Sequence, residues 1–99
     1  MDRHPHELPL PGPVPGDARA NEMIRVWESG ETQQVSLTPW VWDDPGIWGI
    51  ALVDLAKLIA EAYGKSGQMN SATALDRIKR GFDAEWNHAT DTPTGELID

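Results

Sequence analysis

The sequence predicts a small α+β domain in which a β-hairpin is followed by two helices (ββαα), with the hairpin packed on the helical hairpin. Two β-prone runs flank a turn that contains Gly30, which is a hairpin signal. Two longer segments then repeat apolar residues at intervals of three and four, as amphipathic helices do. An isolated two-stranded hairpin is only marginally stable in water, so we expect its apolar face to lie on the helices.

The composition limits the classes of function. The chain has 99 residues, the length of one domain, and a net charge of −8 from 16 acidic and 8 basic residues. An acidic surface disfavours nucleic acids and anionic membranes as partners, because both are bound mainly through basic residues. The absence of cysteine excludes disulfides and thiolate chemistry and fits a reducing compartment.

We predict a cytoplasmic protein without a membrane partner. The N-terminus carries charge and proline where a signal peptide has an apolar run. The longest apolar stretch, residues 47–53, is too short to cross a bilayer.

The two ends of the chain differ from its middle. Residues 1–16 carry prolines that forbid a helix and favour extended conformations, namely Pro5, Pro9, Pro11, Pro13 and Pro15. We predict a flexible leader over 1–16, a single ββαα domain over 17–89 and a flexible acidic tail over 90–99. Whether the leader docks on the domain is left open.

The hairpin strands are predicted at residues 22–28 and 33–38. A connecting loop with an even number of residues places Ile24 and Val26 on the same face as Val35 and Leu37, whereas an odd loop breaks that apolar face. We therefore predict the even loop. The opposite face is then mixed, with Met23, Arg25, Trp27, Gln34 and Ser36.

The first helix is predicted from Pro45 to Tyr63. Asp43 or Asp44 can accept backbone N–H groups of its first turn, and proline suits that turn because its missing N–H costs nothing there. The two carboxylates also fit a cation site or an acid/base pair, but capping requires no ligand and is the favoured interpretation. A broad apolar stripe follows, namely Ile47, Trp48, Ala51, Leu52, Leu55, Leu58, Ile59 and Ala62. Gly64 is the predicted stop.

The second helix is predicted from Asn70 or Ser71, either of which can cap it, to about His88. Its predicted buried seam is Ala72, Leu75, Ile78, Phe82, Trp86 and Ala89. Gly81 inside this helix costs about 1 kcal/mol relative to alanine. Either a close approach of the two helices requires this glycine, or the helix is weaker there.

The sequence assigns no catalytic residue, no cofactor and no metal site. His4 and His6 lie in the leader and His88 at a helix end, so no rigid element orients a histidine beside a nucleophile. A metal held by the two leader histidines would lack the surrounding groups that orient ligands. No glycine-rich loop joins a strand to a helix, as phosphate-binding motifs require.

The tryptophans mark the candidate interaction residues. Trp48 and Trp86 fall on the predicted core seams. The other three do not, and together with Met23 they form the predicted interaction set, Met23, Trp27, Trp40 and Trp42. Aromatic side chains are enriched in binding hot spots, but they also close the cores of small domains.

Three aromatic patches resemble a family of small bacterial proteins classed as a domain of unknown function. They are Arg25-Val26-Trp27, then Trp42-Asp43-Asp44-Pro45 with Trp48-Gly49, and Phe82-Asp83-Ala84-Glu85-Trp86. The resemblance covers about residues 20–88. It implies a small bacterial cytoplasmic domain and transfers no catalytic residue.

Two functional hypotheses remain. The leading one is a non-enzymatic protein-interaction module that binds either a second copy of itself or another protein, because hairpin edges invite pairing and Trp27 and Met23 supply an apolar centre. The alternative is a small-molecule binder or accessory enzyme subunit with an aromatic cleft near Trp40, Trp42 and Asp43.

Overall fold

A computed structural model describes residues 4–88 and 96–97 of the chain. Its strands and helices are β1 (Ile24–Ser29), β2 (Thr32–Leu37), α1 (Gly46–Ser66), α2 (Ser71–Asn87) and β3 (Glu96–Leu97). Short 3-10 turns lie at Val14–Gly16 and Pro39–Val41. The ββαα order of the α+β fold is therefore confirmed.

The β-hairpin has the even loop that the apolar pattern requires. Strands β1 and β2 are antiparallel, and Val26 pairs with Val35 across a turn of two residues, Gly30 and Glu31. Gly30 has φ +65°. A tight hairpin turn needs such a left-handed residue, and glycine adopts it without steric cost.

A short third strand extends the sheet beyond the hairpin. Glu96 and Leu97 pair in parallel with Ser36 and Leu37 of β2, which gives the order β1-β2-β3. These two residues belong to the segment 90–99 that the sequence predicts to be a flexible tail, and the rest of that segment lies outside the described residues.

Asp44 accepts backbone N–H groups at the start of α1. Its Oδ1 accepts the Gly46 N–H at 2.9 Å, and its carbonyl oxygen accepts the Ile47 N–H at 3.1 Å. Pro45, which immediately precedes the helix, has no side-chain acceptor to offer. The predicted capping carboxylate is therefore Asp44, and the helix begins one residue later than predicted.

The predicted end of α1 at Gly64 is wrong. The helix continues to Ser66, and Gly67 ends it with φ +80°. Gly64 has a packing role instead, because a Cβ at this position would lie 3.3 Å from the Cβ of Ser71. With a side chain at this position, the start of α2 would have to move away by a few tenths of an ångström.

The second helix begins as the sequence predicts. The Asn70 side chain accepts the Thr73 N–H at 2.8 Å, which satisfies one of the unpaired donors of the first turn. A Cβ at Gly81 would meet nothing within 4 Å. No close helix contact therefore requires this glycine, and the weaker helix stays a prediction.

The two helices pack through small side chains. Ala60 of α1 and Ala74 of α2 are the buried apolar residues in the described part of the chain. Ala56 and Gly64 lie four residues on either side of Ala60 and share its face of α1. Small residues on this face let the helix axes come close together.

The two layers that we expected do not form. Within the described residues, extensive contacts between elements join β1 to β2, β2 to β3, and α1 to α2, and none of that extent joins the hairpin to the helices. Val26, on the predicted inner face of the hairpin, is 51% exposed. The prediction assumed that the large apolar residues of one chain cover one another. The helices pack through their small residues instead, so the large side chains stay at the surface.

Replacement of Asp44 by alanine is expected to lower the free energy of unfolding by about 1 kcal/mol, because the Gly46 N–H loses its acceptor. Asp44→Asn should cost less, since the amide oxygen can accept the same bond. Asp43→Ala is the matched control and should change stability little. Chemical denaturation of the three variants measures these differences. Equal stability of Asp44→Ala and the unmutated chain would contradict the capping role.

Candidate interaction surfaces

Of the predicted interaction residues, Met23 and Trp27 lie at the sheet and are half-buried. The Met23 carbonyl oxygen accepts the Thr38 N–H at 3.0 Å, which extends the hairpin ladder. Trp27 packs against His4 of the leader, with ring centroids 5.0 Å apart at 65°. The side chain proposed as an apolar centre for pairing is thus partly covered by the chain's own N-terminal segment.

The leader follows β1 and forms a groove with it. Glu7 lies 3.9 Å from the Arg25 guanidinium, which also pairs with Glu22 at 2.8 Å. The groove has a volume of about 240 Å³ and is bounded by residues 6–11 on one side and by β1 on the other. The structure therefore places the leader against the hairpin, while its predicted flexibility stays a prediction.

Trp42 and Trp48 join the β-hairpin to α1. Their rings meet edge to face with centroids 5.1 Å apart, and the Trp48 Nε1 donates to the Pro39 carbonyl oxygen at 3.2 Å. Trp42 is half-buried at this junction. Trp40 is 69% exposed, and the rings of Trp27 and Trp42 have different partners. The three tryptophans do not form one stack.

The alternative hypothesis places a cleft near Trp40, Trp42 and Asp43. The two grooves described in the structure lie elsewhere, one beside β1 and the other around Glu61 and Asn70 where the helices meet. Asp43 is exposed. The structure does not place these three residues in either groove.

Most of the exposed large apolar side chains lie on the helices, including several that the sequence predicts to be in the core. Much of the predicted stripe of α1 is about half exposed or more, namely Leu52, Leu55, Leu58 and Ile59, as are Ile50 and Val53 beside it. The sequence carries a signal for this surface. Residues 46–53 contain no charged side chain on any face of the helix, and a helix that is apolar all round is normally covered on all sides.

The end of α2 also departs from the predicted seam. Phe82 and Trp86 stack on each other with centroids 5.6 Å apart at 21°. Trp86 is nevertheless 78% exposed, so its assignment to the core is wrong. Phe82 is 52% exposed, so the two rings cover each other at the surface instead of filling a core.

The chain matches a known protein family over residues 7–90, one described as a domain of unknown function (DUF5076). The chain belongs to this family. The resemblance inferred from the aromatic patches is confirmed, and the match extends into the proline-rich leader at Glu7, the residue that contacts Arg25.

One solved structure is similar to this chain over nearly its whole length. It comes from the photosynthetic bacterium Rhodopseudomonas palustrus CGA009 and is provisionally described as a pyruvate dehydrogenase. The two chains are 31% identical, the match covers 97% of this chain and 98% of that chain, and the TM-score is 0.75. No curated protein matches the sequence.

The described residues contain no group of three side chains suited to hold a metal ion. Within the same residues, no helix has the length and apolar character to cross a membrane. Charged groups pair along the surface of α2, where a hydrogen bond from Lys79 to Asp83 at 2.7 Å raises the pKa of the lysine. This ion pair is exposed and stands apart from the aromatic residues.

Trp48→Phe is expected to lower the free energy of unfolding by about 1 kcal/mol more than Trp27→Phe, because only Trp48 loses an indole hydrogen bond. Both variants lose a similar ring area, so their difference isolates the bond to Pro39. Chemical denaturation followed by circular dichroism measures it. Equal losses in the two variants would show that the bond does not hold the junction.

Proposed function

We propose that this protein is a non-enzymatic interaction module that associates with itself. The observation that carries the proposal is the exposure of large apolar side chains on both helices, with Leu58 at 61% and Trp86 at 78%. Monomeric proteins rarely expose extended apolar surface, and such patches mark sites of association. The cysteine-free composition supports the cytoplasm as its location.

The shape of the chain supports the same proposal. Its radius of gyration is 15.5 Å, whereas a folded domain of this length has about 13 Å. An open arrangement with few large buried side chains is what one copy of an obligate assembly looks like when its partner is removed.

Light scattering after size exclusion, from low to high micromolar concentration, tests the proposal. We expect a mass of two or more chains at high concentration, because covering the exposed helices removes apolar surface from water. A mass of one chain over the whole range, with native circular dichroism, would contradict self-association.

A second candidate is an accessory subunit or small-molecule binder at Trp40, Trp42 and Asp43. The description of the Rhodopseudomonas relative favours it and suggests pyruvate as the probe. If pyruvate binds here, it should raise the melting temperature of the unmutated chain and not of Trp40→Ala, since a ligand stabilises the state that binds it. An unchanged melting temperature and tryptophan fluorescence would rule out pyruvate at this place.

A further inference from the structure

We infer that two copies of this chain meet along one face of α1, a step that rests on the proposed self-association. The face is formed by Leu52, Leu55 and Ile59, with Leu58 beside them; we call it the α1 seam. Ile59 lies about 100° around the helix from Ala60, the residue that packs on α2. The α1 seam is therefore separate from the contact within the helical hairpin.

The spacing of the seam is that of paired helices. Large and small apolar residues recur at alternating intervals of four and three, namely Trp48, Leu52, Leu55, Ile59 and Ala62. This alternation keeps one stripe facing a partner helix and lets its side chains fit between those of the partner. The contact with α2 uses a different series, Ala56, Ala60 and Gly64.

The exposure of the seam shows that one chain leaves it uncovered. Leu52, Leu55 and Ile59 are 46%, 47% and 51% exposed. In an amphipathic helix the equivalent residues lie against the core. Here the sheet makes no extensive contact with α1, and α2 packs on the face that contains Ala60.

The amount of exposed surface fits a second copy. The chain exposes 8762 Å², whereas a folded monomer of this mass exposes roughly 5,600 Å². The excess, about 3,000 Å², is more than the roughly 1,000–2,500 Å² that each partner contributes to an obligate dimer. This excess is spread over the whole chain, the exposed leader included, and a dimer contact on α1 needs only part of it.

The distribution of charge also favours a second copy. Two chains of net charge −8 repel each other, so a surface that meets its own copy must be free of acidic groups. The α1 seam satisfies this condition, because Asp54, Lys57 and Glu61 project from the opposite side of the helix. A neutral apolar seam offers a partner of opposite charge nothing to recognise, whereas it complements itself.

The resulting arrangement joins two helical hairpins through their α1 helices. Each copy contributes α1 and α2, so the pair forms a four-helix assembly, an architecture that buries apolar faces which a single helical hairpin leaves exposed. The contact is isologous, meaning that the same surface of each copy is used.

The absence of cysteine makes a direct test available. Single variants Leu55→Cys and Ile59→Cys place one thiol on the seam, and Lys57→Cys and Glu61→Cys place it on the opposite side of the same helix. A disulfide requires Cα atoms about 4.4–6.8 Å apart. We expect at least one seam variant to form a covalent dimer under mild oxidation faster than both controls, because residues near a two-fold axis meet their own copies.

A second pair of variants tests the seam without a cross-link. Leu55→Glu should weaken association about tenfold or more, because an unpaired carboxylate is costly in an apolar contact. Lys57→Glu makes the side chain acidic on the opposite face and should leave a dimer. Circular dichroism reports whether Leu55→Glu remains folded, and if it unfolds, the cysteine variants decide the question alone.

Three results would overturn the inference in distinguishable ways. If the chain is dimeric by light scattering but the seam thiols cross-link no faster than the controls, the seam is wrong and self-association stands. If the chain is a monomer throughout, both proposals fail. If Trp27→Ala dissociates the dimer and Leu55→Glu does not, the contact between copies lies at the sheet, and the α1 seam is contradicted.

Discussion

The contact between α1 and α2 depends on small side chains, and it leaves the large apolar side chains of both helices exposed. Ala60, Ala74 and Gly64 let the two helix backbones approach closely. Such a contact buries little apolar surface per residue, and burial of apolar surface is the main source of folding free energy. The large side chains on the other faces of α1 gain no cover from this helix pair.

The β-hairpin does not supply that cover. It is joined to α1 by the Trp48 bond to Pro39 and the contact of Trp48 with Trp42, while the leader lies against β1 through Glu7 and Arg25. The sheet is thus contacted by the leader and is linked to α1 through the segment that joins them. Each helix is covered on the face that packs against the other helix. This division separates the Trp27 surface, which the leader partly shields, from the apolar faces of the helices.

Local sequence signals predicted the elements because each depends on a few neighbouring residues. The parity of Ile24, Val26, Val35 and Leu37 fixed the hairpin register, and Asp44 and Asn70 marked the starts of the helices. The packing between elements was not predictable in this way. Apolar periodicity shows which face of a helix avoids water, but it does not distinguish cover by the same chain from cover by a second one. For this reason Trp86 was assigned to a core and is 78% exposed.

If the helices are completed by a second copy, folding and association are one equilibrium, and stability depends on protein concentration. The melting temperature of the unmutated chain, followed by circular dichroism at low and high micromolar concentration, tests this dependence most directly. The account predicts that the melting temperature rises with concentration, because mass action favours the assembled state. A melting temperature that stays the same over this range would show that a single chain is stable without a partner and would contradict the account.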